Sequence, residues 1–348
     1  MAKQLQVPSF TVKFSGKELT GEDAELVAEI IVADRVDTPS FFSVTMQDVE
    51  RKLVDDKRFA EGTDVEIQLG FDDKTSKVLK GEVTSLVPRF NRKSGSFLEI
   101  RGSSLLHRLT RARKTRSFVN KGDADIIKDI ASDSKLKGTA DRLGKPKPFT
   151  MQVDQTDYDY LMYLARIYNC RVWTDDKKLF FKSINVKSRP AVTLAWGEDG
   201  LLEFTPVLNT ANLVTAVEVR GWDNQKSQVI VGTATTSKVK DKIGGRKLGA
   251  DAVKGKFGEA KMVHISDTIR DRKTAEDVAL DVLTRNSMNY IVASGKCTGN
   301  NKILAGSIVR IDNVGKRFSG EYYVRSVRHE YRRSSGYFTL FDLERNCT

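Results

Sequence analysis

Part of this chain is written twice, and a duplicated β unit restricts the fold more than any other feature. Lys80-Gly81-Glu82-Val83-Thr84-Ser85 leads to Phe90, Arg92, Ser94, Gly95 and Phe97. Ser319-Gly320-Glu321-Tyr322-Tyr323-Val324-Arg325-Ser326 leads to Tyr331, Arg333, Ser335, Gly336 and Phe338. At a constant offset of 241, Ser85, Arg92, Ser94, Gly95 and Phe97 fall on Ser326, Arg333, Ser335, Gly336 and Phe338, and the aromatic Phe90 falls on Tyr331. Upstream, Gly62-Thr63-Asp64-Val65-Glu66-Ile67 is answered by Gly306-Ser307-Ile308-Val309-Arg310-Ile311, with a gap of different length before the hairpin. An internal repeat of this kind implies pseudo-symmetry, two copies of one β unit in one chain.

A chain of 348 residues is too long for one ordinary core, so two or three domains are expected. With 39% hydrophobic and 30% charged residues it reads as globular. No apolar run approaches the ~20 residues of a membrane helix, so no stable membrane association is expected. The start, Met1-Ala2-Lys3-Gln4-Leu5-Gln6-Val7-Pro8, lacks the apolar stretch of a secretory signal. Cys170, Cys297 and Cys347 are odd in number and lack CxxC spacing, which suits a reducing cytoplasm with buried or idle thiols. None of His107, His264 and His329 stands at ligand spacing to a cysteine, so neither a metal nor a cofactor is expected.

The predicted fold class is mainly β with an α/β insert: two pseudo-equivalent antiparallel, tube-like β-barrels flanking a small α+β domain. Residues 1–112 form the first barrel. Phe42, Val44 and Met46, and again Val65, Ile67, Leu69 and Phe71, alternate with polar residues, as half-buried strands do. Asp72-Asp73-Lys74 and Arg92-Lys93-Ser94-Gly95 supply turns. Residues 113–190 form the insert. It holds a helix around Ile126, Ile127 and Ile130 capped by Asp123, and a second opened by Thr156, with Leu161, Leu164, Ala165 and Tyr168 on one side. Asn169 is expected in a left-handed conformation after it, before a hairpin through Arg171-Val172-Trp173-Thr174 and Leu179-Phe180-Phe181. Residues 191–348 form the second barrel. Strands are expected within 211–220, 308–311, 322–331 and 337–343, with a long basic loop over 232–258 and a helix over 274–286.

Side chains that look like chemistry mostly have plainer readings. Asp154, Asp157 and Asp159 cluster at a helix start, where the dipole favours acids, and Asp267 with Asp271 offers no pocket. On a strand, Tyr323, Arg325, Val327, His329 and Tyr331 share one face, and His329 has no nucleophile beside it, so it reads as a hydrogen-bonded structural residue. Lys242-Ile243-Gly244-Gly245-Arg246-Lys247 resembles a phosphate loop only in composition. No catalytic residue is expected.

Charge is the feature that points outward. The chain carries 58 basic and 46 acidic residues, a net +12. Between Arg89 and Arg116 stand nine Lys or Arg (Arg89, Arg92, Lys93, Arg101, Arg108, Arg111, Arg113, Lys114, Arg116) against the single acid Glu99. A second basic cluster runs Lys238, Lys240, Lys242, Arg246, Lys247, Lys254, Lys256. Such an excess concerns partners rather than fold. The candidate lumen or subunit-interface residues are Arg89, Arg92, Lys93, Arg101, Arg325 and Arg333.

Four segments resemble the phage late control protein D family, the tail hubs of contractile injection machines, whose fold also makes the hub half of the type VI secretion spike protein. They are Val153-Asp154-Gln155-Thr156-Asp157-Tyr158-Asp159-Tyr160-Leu161-Met162-Tyr163-Leu164-Ala165-Arg166-Ile167-Tyr168; Trp196-Gly197-Glu198-Asp199 leading into Leu202-Glu203-Phe204-Thr205-Pro206; Val217-Glu218-Val219-Arg220-Gly221-Trp222-Asp223; and Leu304-Ala305-Gly306-Ser307-Ile308-Val309 continuing through Gly315 to Val324, His329 and Gly336-Tyr337-Phe338-Thr339. The resemblance covers about 150 to 345. It implies a homotrimer in which each copy contributes two barrels, a pseudo-sixfold ring joining a six-fold tail tube to a three-fold spike.

The implied partners are further copies of itself, the tail tube or tube-initiator protein, a separate spike protein, tape measure and other baseplate proteins, and cargo in passage. The spike is expected on another polypeptide because the chain stops at Thr348, after the second barrel. Assembly in a host or producer cytoplasm, then residence in the tail baseplate of a virion or particle, is the implied location. The alternative is a basic nucleic-acid-binding protein, marked by steep salt dependence.

Overall fold

A computed structural model describes residues 6–348 apart from 73, 142, 199, 224, 225, 267, 268 and 270. Met1 to Leu5, Asp73, Asp199 and Asp267, named above, lie outside the described residues. The first region holds β1 (Pro8–Phe14), β2 (Lys17–Glu18), helix α1 (Glu22–Glu25), β3 (Val27–Arg35), β4 (Thr38–Gln47), β5 (Asp64–Phe71), β6 (Lys74–Asn91) and β7 (Gly95–Ser103). The period-2 pattern sets which side is buried. Ile30 and Val32, Phe42, Val44 and Met46, and Ile67 and Leu69 are fully enclosed in one core with Leu98 and Ile100. At the β6–β7 turn the Asn91 side chain accepts hydrogen bonds from the Lys93 and Ser94 amides at 2.8 and 3.1 Å, and Gly95 takes a φ of 89°.

The middle region holds β8 (Arg113–Lys121), α2 (Asp123–Asp133), β9 (Lys137–Ala140), β10 (Lys147–Thr156), α3 (Asp157–Ile167), β11 (Cys170–Asp175) and β12 (Lys178–Ser183). It has its own core, with Ile126, Ile127, Ile130, Leu161, Leu164, Ala165, Leu179 and Phe181 enclosed. Helix α3 opens as the sequence predicts: the Thr156 hydroxyl accepts from the Asp159 amide at 3.0 Å, and Asn169 lies at φ 46°. Helix α2 does not. Gly122 is its cap, and Asp123 is the first helical residue, buried and salt-bridged to Lys147 at 3.0 Å. A carboxylate that far inside gains more from a cation than from helix amides.

The third region holds β13 (Val192–Ala195), β14 (Leu201–Leu208), β15 (Ala216–Asp223), β16 (Gln228–Thr235), α4 (Gly249–Phe257), β17 (Lys261–Ile265), α5 (Arg272–Ser287), β18 (Ile291–Thr298), β19 (Ile308–Asp312), β20 (Gly320–Arg332) and β21 (Gly336–Arg345). The stretch 232–258, expected as a loop, is largely ordered: it begins inside β16, continues through a 3-10 turn at Thr236–Lys238 and ends in α4. Val239, Ile243, Leu248 and Val253 are buried, Phe257 at the end of α4 is exposed, and the Ile243 amide donates to the Asn346 side chain at 2.9 Å. Contacts with the distant chain end fix it, and local periodicity does not show them. The expected strand over 211–220 starts only at Ala216. It lies in a separate sheet, ordered β16-β15-β17, against which α5 packs through Val278, Ala279 and Leu283. Helix α5 exceeds the expected 274–286 at both ends, because Asp271 caps it by accepting from the Thr274 amide at 2.9 Å.

One sheet of 13 strands carries the architecture. Apart from the short β2, which pairs with β1, it consists of two halves with the same strand order, β3-β4-β7-β6-β5-β1 and β14-β18-β21-β20-β19-β13, each curled around its own core. They are joined edge to edge where β3 pairs antiparallel with β20. The halves differ at their last strand, since β1 runs antiparallel to β5 whereas β13 runs parallel to β19.

The middle region is fastened to both halves by Arg171. Its guanidinium stacks on Trp173, reaches Asp34 of β3 at 3.3 Å and donates to the Ala305 carbonyl. Burial pushes the Asp34 carboxyl up, against the opposing pull of Arg171.

Candidate functional site

The hairpin β6–β7 and the hairpin β20–β21 match residue for residue at the offset seen in the sequence. Glu82↔Ser103, Val83↔Gly102, Ser85↔Arg101 and Asn91↔Gly95 in the first become Tyr323↔Glu344, Val324↔Leu343, Ser326↔Asp342 and Arg332↔Gly336 in the second. Both ladders slip at the same place, between Val83 and Ser85 and between Val324 and Ser326. A bulge re-aims the strand and is a built feature rather than a defect. The glycine loops correspond too. The Gly62 amide donates to the Val83 carbonyl at 2.8 Å, and the Gly306 amide to the Val324 carbonyl at 2.8 Å. Gly62 and Gly306 lie at φ 84° and 80°.

The bulge corrects one expectation. Tyr323 does not share a face with Val327 and His329: Val324 and Val327 sit in one core, and Tyr323 in another with Val186, Ile243, Met288 and Ile308. The unpaired Arg325 shifts the alternation by one.

The halves differ in what lies beside the hairpins. On β20, residues Ser326–Arg332 pair with β3. Among the described residues, the matching stretch of β6, Ser85–Asn91, pairs with β7 alone, and β14 with β18 alone. These are two open edges, and an open edge is a template for another strand. Apolar groups stand along them: Phe90 is 63% exposed and Val207 51%. Tyr331, the counterpart of Phe90, packs edge-on against Phe10 with ring centroids 4.9 Å apart.

The six candidate basic residues fall in three places. Arg89 and Arg101 converge on the buried Glu99, Arg101 at 2.7 Å. Burial works against the Glu99 charge, but the hydrogen bonds and charges of Arg101 and Arg89 outweigh it and hold the carboxyl below its usual range. Arg92 and Lys93 project from the exposed β6–β7 turn with no carboxylate partner among the described residues. Arg325 and Arg333 flank the β3–β20 junction: Arg325 lies 3.5 Å from Asp37, and Arg333 donates to the Glu25 carbonyl. Arg92 is the counterpart of Arg333, but at the open edge.

Much of the remaining basic run is neutralised within the chain. Arg108 and His107 hold Glu82; Lys114 and Arg116 both hold the buried Asp157 at 2.6 Å; Arg113 pairs with Asp154 at 2.8 Å. Of the acidic cluster, Asp154 and Asp157 are thus ion-paired, and Asp159 stands in the first turn of α3. His329 is fully buried, shares a 2.8 Å hydrogen bond between its Nδ1 and the Tyr337 hydroxyl, and is pushed down to about 4 by burial, so it is neutral near pH 7. Cys170, Cys297 and Cys347 are buried free thiols. Among the described residues no group of three metal-ligating side chains comes together. No described helix is long and apolar enough to cross a membrane.

This sheet, with its repeated halves and central insert, is a fold shared with phage tail proteins. The 43 kDa tail protein of prophage MuSo2 from Shewanella oneidensis aligns over 97% of this chain and 98% of its own, with TM-score 0.71 at 13% identity. The tail protein from Neisseria meningitidis MC58 aligns over 97% and 96%, with TM-score 0.70 at 14% identity. An Escherichia coli component of the type VI secretion system aligns over 96% and 76%, with TM-score 0.62 at 11% identity. In sequence, the family model described as the Alg8 N-terminal domain matches residues 4–333, and the chain belongs to that family. No curated protein matches it.

Proposed function

We propose that this protein is a structural, non-enzymatic baseplate hub of a contractile phage tail or phage-derived injection particle. Three copies place six sheet halves in a ring, so that threefold symmetry imitates sixfold at the tube and stays threefold at the spike. The observation that carries this reading is the pair of matched halves ending in two open edges. In a closed heterologous ring, the β6 edge of one copy meets the β14 edge of the next. The tail proteins and the secretion component that share the fold support the same role. The partners are then a tail tube or tube-initiator protein, a separate spike and other baseplate proteins, and the location is the particle's tail. Arg92 and Lys93 lie beside the seam between copies, where they answer acidic or carbonyl groups as Arg333 answers Glu25. A nucleic-acid role loses most of its basis, because so many of the basic residues are paired with the chain's own carboxylates.

Sedimentation equilibrium, with and without a spike protein, tests the proposal. A trimer is expected, weakened by Arg92→Glu combined with Lys93→Glu. A chain that stays monomeric even with spike present overturns it.

A further inference from the structure

The junction inside the chain and the two open edges differ at one matched pair of positions. In the internal junction the Val36 amide donates to the Arg325 carbonyl at 3.1 Å and the Arg333 amide to the Ala28 carbonyl at 3.0 Å. Hydrogen-bonded pairs recur at every second residue of an antiparallel ladder, so the register partners His329 and Val32 are one of them. Counting 241 back from His329 gives Pro88 on β6. The counterpart of Val32 is traced through the sheet. Val32 pairs with Phe42 and Phe42 with Gly102; Gly102 answers Leu343, which pairs with Ala293, and Ala293 pairs with Pro206. A bonded pair at the internal junction is therefore a pair of prolines at the open edges.

Both prolines turn their nitrogens outward. The Asn209 amide donates to the Tyr290 carbonyl at 2.9 Å, so Pro206, three residues earlier, belongs to the alternate set that faces away from β18. The Asp48 amide donates to the Ser96 carbonyl at 2.9 Å, so Ser96 and Leu98 bond toward β4, and Pro88 opposite Leu98 faces away from β7. Neither proline costs the monomer a hydrogen bond, which is where a sheet tolerates proline.

We propose that the open edges of neighbouring copies meet in the register of the internal junction, with Pro88 against Pro206, and that this proline pair makes the seam between copies the weaker one. The inference rests on the reading that the partner is a second copy of this chain. One observation favours that partner beyond the shared register, and a second bears on the strength of the seam. Phe90 is left exposed where Tyr331 is covered. Glu203 stands where Glu29 stands, found by the same tracing through Thr45, Glu99, Leu340 and Lys296. The internal ion pair between Arg332 and Glu29, at 2.6 Å, becomes Asn91 facing Glu203, a second weakening. Such a seam lacks one reciprocal pair of backbone bonds. It discourages promiscuous strand addition by the free monomer, and it is the place where the ring opens first.

Substituting the prolines tests this. Both lie on open edges with no bond to lose, so Pro88→Val and Pro206→Val leave the monomer fold intact. In a sedimentation dilution series the double variant should dissociate at a concentration at least about tenfold lower than wild type, as two restored backbone bonds per seam imply. Each single variant should give roughly half that effect on a logarithmic scale, and Pro190→Ala, outside both edges, none. Amides at 88 and 206 of the double variant should be protected from hydrogen exchange in the ring. A wild-type ring whose dissociation is indifferent to the prolines overturns this proposal alone. A chain monomeric throughout, variants included, overturns the hub reading with it.

Discussion

Over Glu82–Ser103 and Tyr323–Glu344, hairpins β6–β7 and β20–β21 share turn position, bulge and register, yet one is marginal and the other interior. Around the second, His329, Tyr337 and Thr339 are buried because β3 closes the far side of β20. Around the first, Phe90 and Arg92 face outward because, among the described residues, no strand lies beyond Ser85–Asn91. The local sequence therefore makes the hairpin, and the neighbour decides what each of its side chains is for. A histidine fits where a strand shields it, a proline where none does.

The most direct way to break the contrast is to give the internal junction the feature of the open edge. Val32→Pro removes an amide that bonds across to β20 and replaces a fully buried side chain, so unfolding stability should fall by about 3 kcal/mol or more. Urea titration measures this, and a loss below about 1 kcal/mol would mean that the junction is not a continuous ladder.

The pH dependence is a similar-sized or smaller effect. His329 is held neutral in the fold, with its pKa pushed from an ordinary 6.5 to about 4. The unfolded chain binds the proton more readily, so this contribution is complete above pH 6.5 and is lost as pH falls through 4. It amounts to about 3 kcal/mol at most. His329→Gln should flatten the stability profile between those limits. Its counterpart Pro88 cannot titrate, so no matching change should arise from the first hairpin. An unchanged profile in the variant would assign the acid sensitivity to other groups.

The smallest effect sharpens the likeness instead. Gly95 and Gly336 both hold positive φ, 89° and 95°, and an added Cβ would meet nothing at Gly95 and only Pro8, at 3.4 Å, at Gly336. Gly95→Ala and Gly336→Ala should each cost about 1 kcal/mol of backbone strain. A thermal melt that separates them by much more would show the two turns to be unequal.

Much of this was legible in advance. The repeat gave the matched hairpins, the alternation in β4 and β5 gave their buried faces, and the Thr156–Asp159 spacing gave the start of α3. The strands β8, β9 and β10 were not legible, because Arg113–Lys121 and Lys147–Thr156 carry too many charges to alternate cleanly and are paired through Arg116, Asp157 and Gln152. The ordered course of 232–258 was hidden because its anchors, Asn346 and Cys347, lie at the other end of the chain. At the candidate site Arg92 and Arg333 were named from the sequence, but Pro88 and Pro206 were missed. Their match follows only from strand pairings, since β3 and β14 share no residue pattern that a reader would align.

By itself the sequence determined the unit and its duplication, because turn chemistry, bulge and apolar alternation act over neighbouring residues. The tertiary structure alone decided that the two units fuse along β3 and β20 while leaving β6 and β14 bare. Hydrogen bonds between distant strands depend on which backbone groups remain unpaired after the local structure has formed, and no short stretch of side chains records that.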